Sequence, residues 1–195
     1  MTKDDAIRLQ RALGITADGL IGRDTMRALF ARFGCPHTLA LELALAGAVH
    51  LEVYGITDTP LRLAHFVAQL AHESDGFRAM EEYASGAAYE GRTDLGNTQP
   101  GDGKRYKGRG PIQLTGRANY RTFGRALGID FESHPEIVAL PSVGLLAACR
   151  FWTMRGLNEL ADADDVEAIT RRINGGLNGF GDRKAYLVKA KGLFA

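Results

Sequence analysis

Chemistry that depends on metals, disulfides or membranes has little to work with in this chain. Its two cysteines, Cys35 and Cys149, are far apart, too few for a disulfide framework and without thiolate-site spacing. Buried thiols are the expectation. The five histidines, His37, His50, His65, His72 and His134, lack ligand spacing of the His-Glu-x-x-His kind, so neither a metal nor another cofactor is expected. No apolar run is long enough to cross a bilayer, which argues against stable membrane insertion. A formal charge of only +1 supplies no bulk field for binding nucleic acid. The start, Met1-Thr2-Lys3-Asp4-Asp5, lacks the apolar segment of a signal peptide, so synthesis in a cytoplasm is expected.

What the chain does have is helical periodicity. Leu63, Val67, Leu70 and Ala71 recur at helical spacing and end at His72-Glu73, just before Gly76; Thr59 and Pro60 supply an N-cap and first position. A second carboxylate, Glu82, follows nine residues on. In one unbroken helix, nine residues rotate by about 180° and rise about 13 Å, leaving the two acids on opposite faces. Gly76 can take the left-handed conformation that ends a helix and turns the chain back, so both acids can flank one cleft.

Further helices are expected at Leu39 to Val53, read as a core helix, and at Tyr120 to Leu127, Val143 to Met154 and Val166 to Arg172, with Gly128, Gly156 and Gly175 as stops. Phe151 and Trp152 are expected to pack inside. A basic helix around Arg183, Lys184, Lys189 and Lys191 is expected to be solvated. The stretch from Ser85 to Arg109 is polar and rich in glycine, unable to form core, and is expected to line or cover the cleft. The fold class is therefore all-α: a helical domain with a cleft and a long Gly-rich loop.

Near the N-terminus, Ile7, Leu9, Leu13 and Ile15 indicate a short helix, Asp18-Gly19 a turn, and Asp24 an N-cap for Thr25 to Phe33. Leu9-Gln10-Arg11-Ala12-Leu13-Gly14, Ala17-Asp18-Gly19-Leu20-Ile21-Gly22, and Thr25, Ala28 and Leu29 resemble the core repeat of the small peptidoglycan-binding module, without its usual third helix. The division expected is a wall-binding-like helical module at 1–35 and a second unit at 36–195. The alternative is a hairpin that merely packs on the main body.

Across about residues 60 to 190 the motifs fall in order: His72-Glu73, Gly76-Phe77, Glu82, Gly108-Arg109-Gly110, Ile112-Gln113-Leu114-Thr115, Asn119-Tyr120, Ile173-Asn174-Gly175-Gly176, Asn178-Gly179 and Asp182-Arg183. Together they resemble the catalytic domain of glycoside hydrolase family 19, which contains plant-type chitinases and phage endolysins and has a lysozyme-like helical fold. The resemblance implies hydrolysis of β-1,4 links in N-acetylated sugar polymers with inversion, Glu73 being the acid and Glu82 the base. An inverting pair stands about 6.5–9.5 Å apart to admit water. It also implies that Thr115 holds the attacking water. His72, Tyr106, Arg109, Gln113, Asn119, Asn174 and Arg183 are implied to bind sugar or support the base. Glu81 is the alternative base if the register shifts by one.

Chitin and peptidoglycan share this backbone. The N-terminal hairpin favours peptidoglycan glycan strands as partner, and with the missing leader it suggests a monomeric endolysin, made in a bacterial host and released to the wall.

Overall fold

The computed structural model describes all residues, 1–195. Its regular structure is ten α-helices joined by short 3-10 turns, and β structure is confined to isolated bridges, so the fold is all-α. The helices are α1 (Lys3–Ala12), α2 (Arg23–Arg32), α3 (His37–Val53), α4 (Pro60–Glu73), α5 (Asp102–Arg105), α6 (Arg117–Leu127), α7 (Pro141–Met154), α8 (Leu157–Asp162), α9 (Val166–Asn174) and α10 (Phe180–Lys191).

At the centre lies α4. Thr59 Oγ1 accepts from Arg62 N at 3.1 Å and Pro60 opens the first turn, so the helix starts where its cap chemistry dictates. Every residue from Leu63 to Ala71 is buried, with α8 and α10 packed against it. Beside it, Trp152 of α7 meets the Phe66 ring edge-on at 5.2 Å and satisfies its indole N–H on Asn158 Oδ1 at 2.9 Å.

α1 begins with a capping box between Thr2 and Asp5. The link to α2 is organised by Gln10, which donates to Asp18 Oδ1 at 2.7 Å and the Leu20 carbonyl at 3.0 Å and accepts from Gly19 N at 2.8 Å. The N-cap of α2 is Gly22 rather than Asp24, which lies in the first turn, where a carboxylate still favours the positive end of the helix dipole. Leu9, Met26, Leu29, Phe30 and Phe33 join one continuous apolar cluster with α3, α4, α7 and α10, so residues 1–35 share a core with residues 36–195.

α3 is core on one side only. Ala40, Leu43, Ala44, Gly47 and Leu51 are buried, whereas Leu41, Leu45, Val49 and Val53, four residues apart along the opposite face, are exposed. The composition of this helix hides that division, because it is apolar all round.

Candidate active site

Glu73 is the last residue of α4, and the chain reverses directly after it. Buried Ser74 donates its hydroxyl to the Leu70 carbonyl at 2.6 Å and accepts from Phe77 N at 3.0 Å. Asp75, Gly76 and Phe77 then all take left-handed φ, at 50°, 65° and 64°. A side chain on Gly76 would meet the Phe33 carbonyl at 2.9 Å, so only glycine fits beneath the end of α2. At Phe77 the strain, about 1–2 kcal/mol for a non-glycine residue, is offset by complete burial of the ring edge-on to Phe30 at 5.1 Å.

Arg183, only 2% exposed, comes from α10 and donates to both Glu73 Oε1 and Gln69 Oε1, residues one helical turn apart on α4. Its Nε donates to the Asn178 carbonyl at 3.2 Å. Asn174 donates to that same carbonyl at 3.1 Å and accepts from Gly176 N at 2.8 Å, which fixes the loop between α9 and α10. Next door, His72 Nδ1 lies 2.6 Å from Asp182 Oδ2, and a Cβ on Gly179 would overlap the His72 ring. His72, Glu73, Asn174 and Arg183 thus form one cluster in which α10 holds the end of α4.

The second acid sits on a small ladder. Glu82 N donates to the Gly108 carbonyl at 2.9 Å, Gly110 N to the Met80 carbonyl at 2.8 Å, and Arg109 bridges both Glu81 and Leu114. Successive side chains on extended backbone point to opposite sides, so Glu81 and Glu82 part company. Glu81 pairs with Arg109 Nε at 2.9 Å and Lys107 Nζ at 3.4 Å. Glu82 accepts from Gly108 N at 3.1 Å and from the Tyr89 hydroxyl at 3.0 Å. Burial, and then the Glu82 carboxylate, push the Tyr89 hydroxyl pKa up, so it remains a donor.

Thr115 and Gln113 close this second cluster. A Cβ on Gly108 would lie 2.7 Å from Gln113 Oε1, 3.2 Å from Thr115 Oγ1 and 3.3 Å from Glu82 Oε2, so these three groups face one small space that needs glycine beside it. Gln113 itself takes φ 54° and donates to the Ala79 and Gly110 carbonyls at 3.1 and 3.0 Å. The Thr115 hydroxyl donates to the Gln113 carbonyl at 2.8 Å, and Asn119, one turn into α6, donates to the Thr115 carbonyl at 2.7 Å.

Besides Arg183, two of the residues singled out from the sequence are turned inward. Tyr106 is 2% exposed, with its hydroxyl on the Glu132 carbonyl at 3.0 Å and the Arg105 and Arg117 guanidinium groups near its ring. Arg109 is 7% exposed and, besides Glu81, bonds the Arg105 carbonyl at 2.8 Å and the Tyr120 hydroxyl at 3.1 Å. Both brace the loop from within and offer no face to a ligand. Residues that the sequence did not single out are Gln69 and Tyr89, and Asp182 was named only as part of a motif, without a role. The first had a legible signal, being one turn before Glu73 on the same helix face.

The Gly-rich stretch is ordered by polar contacts instead of apolar packing. Asn97, fully buried, donates to the Tyr89 carbonyl at 2.9 Å and accepts from Arg117 N at 2.9 Å, while Glu90 accepts from Gly101 N and Gly103 N at 2.6 and 2.9 Å. No group of three or more His, Cys, Asp or Glu side chains is placed to hold a metal.

Among solved structures, chitinase C from Streptomyces griseus matches with a TM-score of 0.70 at 21% identity, covering 89% of this chain and 93% of that one. That defines the class: a helical, lysozyme-like fold. In sequence, a glycosyl hydrolase family 19 domain-containing protein of Haemophilus influenzae is 34% identical over 154 residues, 63% of this chain and 75% of that protein. An Arabidopsis thaliana endochitinase is 36% identical over 146 residues, 73% of this chain but only 50% of that protein, so the chain spans half the plant enzyme's length. The profile of the family described as chitinase class I matches residues 51–179. The chain belongs to glycoside hydrolase family 19 and is a chitinase-like glycosidase.

Proposed function

We propose that the protein is an endolysin that cuts β-1,4 glycosidic bonds of peptidoglycan by inversion, with Glu73 as general acid, Glu82 as general base and Thr115 holding the attacking water. The observation that carries the assignment of roles is the space shared by Glu82, Thr115 and Gln113 beside Gly108. A water there has a carboxylate to take its proton and a hydroxyl to orient it. Glu81 is occupied by two cations, which favours Glu82 over it as base. Glu73 is assigned as the acid that protonates the leaving oxygen: Arg183 occupies its Oε1 and leaves Oε2 as the oxygen that carries the proton.

Peptidoglycan is favoured by the N-terminal hairpin, whose sequence resembles a wall-binding module. The partner is the glycan strand, engaged by a monomer, and the site of action is the wall of a bacterial host in whose cytoplasm the protein is made. The second reading, a chitinase, is favoured by the names of the plant relatives. Digesting purified peptidoglycan and chitin hexamers in parallel and weighing the products by mass spectrometry tests the choice. Disaccharide-peptide fragments are expected; cleaved chitin beside intact walls rules for the chitinase.

A further inference from the structure

Asn119 lines an open pocket of about 580 Å³ between α6 and the ends of α7 and α9. Phe123 and Met154 give it an apolar surface, Asn119 and Thr122 hydrogen-bonding groups, and Arg155 and Arg172 its charge. Asn119, which lines this pocket, also donates through Nδ2 to the Thr115 carbonyl, so the pocket and the Thr115 cluster share one residue.

The two arginines stand out because of what they do not bind. Arg155 NH1 donates to the Arg172 carbonyl at 3.4 Å and Arg172 NH1 to the Arg155 carbonyl at 2.9 Å, and neither forms an ion pair. Each guanidinium has five N–H donors, so most of them have no protein partner. The Arg155 head is further placed by the Phe151 ring, 4.7 Å from its centroid. Glu159 of α8 lies on the other side of Gly156: its Oε2 and Arg172 Nη1 are 3.5 and 3.4 Å from the position a Cβ there would take, and the two form no ion pair. Elsewhere on the same helix, Arg171 is neutralised by Glu167 at 2.9 Å. Two exposed cations without an ion-pair partner thus line an open groove in a chain of almost neutral net charge.

We infer that Arg155 and Arg172 determine specificity by binding carboxylates carried on the glycan strand, so that the groove selects an acidic N-acetylhexosamine polymer over a neutral one. Peptide-bearing peptidoglycan strands carry such carboxylates and chitin does not. A planar guanidinium matches a carboxylate with two parallel hydrogen bonds, which makes arginine the suitable residue. The inference rests on the glycosidase reading of the cleft and adds the charge of its substrate.

The test compares wild type with the double variant Arg155→Gln, Arg172→Gln on three substrates: glycol chitin, carboxymethyl chitin and peptide-bearing glycan strands. Two exposed charge contacts predict a three- to tenfold loss of kcat/KM on the two acidic substrates, abolished by about 0.5 M salt, with glycol chitin unchanged. The glycol chitin rate and the unfolding midpoint report whether the variant is folded, and Arg155→Lys, Arg172→Lys should recover part of the loss. An equal loss on all three substrates, or no loss on either acidic one, overturns the inference. Wild type that prefers carboxymethyl chitin in an arginine-dependent way while leaving walls intact supports it, and defeats the peptidoglycan reading instead.

Discussion

Replacing Arg183 by Met probes the joint between α10 and the end of α4. The substitution keeps much of the aliphatic volume and removes the cation that satisfies Glu73, Gln69 and the Asn178 carbonyl. Arg183 is almost fully enclosed and the Glu73 side chain is 17% exposed, so the pair lies closer to the buried limit than to a surface ion pair. Breaking such a pair from one side costs about 3–5 kcal/mol, because the remaining carboxylate loses its compensation. In a chain of this size each kcal/mol moves the midpoint by about 2–4 °C, so Tm should fall by roughly 6–20 °C. Glu73→Gln is the informative contrast. Its amide oxygen still accepts from Arg183, so the stability loss should stay near 1–2 kcal/mol while turnover falls by several orders of magnitude. Urea denaturation followed by circular dichroism, with turnover measured on the same preparations, separates the two. A loss below 1 kcal/mol for Arg183→Met would show that α10 does not hold the acid in place.

Other substitutions address the rest of the account. Gly108→Ala pushes a methyl to within 2.7 Å of Gln113 Oε1 and toward Thr115 and Glu82, so kcat should drop by about 10²-fold with little change in KM, as steady-state kinetics would read. The Glu132 carboxyl is held down to a pKa of about 2, first by hydrogen bonding to Arg121 and then by Arg117. Its contribution to stability is therefore complete above the ordinary value of 4.5 and is lost as the pH falls toward about 2. Urea midpoints of wild type and Glu132→Gln should differ at pH 6 and converge only as the pH approaches about 2. Deleting residues 1–35 strips Met26, Leu29, Phe30 and Phe33 from the shared core, so the remainder should lose its cooperative thermal transition in calorimetry.

Much of the helical frame could be read directly, because cap and stop residues act locally. Thr59-Pro60 begins α4, and Gly128 and Gly175 end α6 and α9 in left-handed conformation, as their positions in the sequence suggest. Trp152 and Phe151 are buried as their pattern implies. α8 was hidden, since six residues between Gly156 and Ala163 are too few to show a period. The reversal after Glu73 was half visible. Gly76 announces it, but left-handed Phe77 packs on Phe30 and Gly76 lies beneath the Phe33 carbonyl, both contacts with a distant helix and its cap. Order in the Gly-rich loop was hidden for a related reason: it comes from contacts of buried Asn97 and Asp102 and of exposed Glu90, and polar residues give no periodic signal. The sequence singled out Glu82, Gln113 and Thr115, which the structure brings to one space beside Gly108, whereas the inward turn of Tyr106 and Arg109 is a property of the packed structure.

The most direct test of the two-carboxylate account is the configuration of the first product. Proton NMR during hydrolysis of soluble N-acetylglucosamine oligomers should show the α-anomer at the new reducing end first, with the β-anomer growing in only as mutarotation proceeds. An initial β-anomer, or an anhydro sugar, would contradict Glu82 activating water against a bond protonated by Glu73.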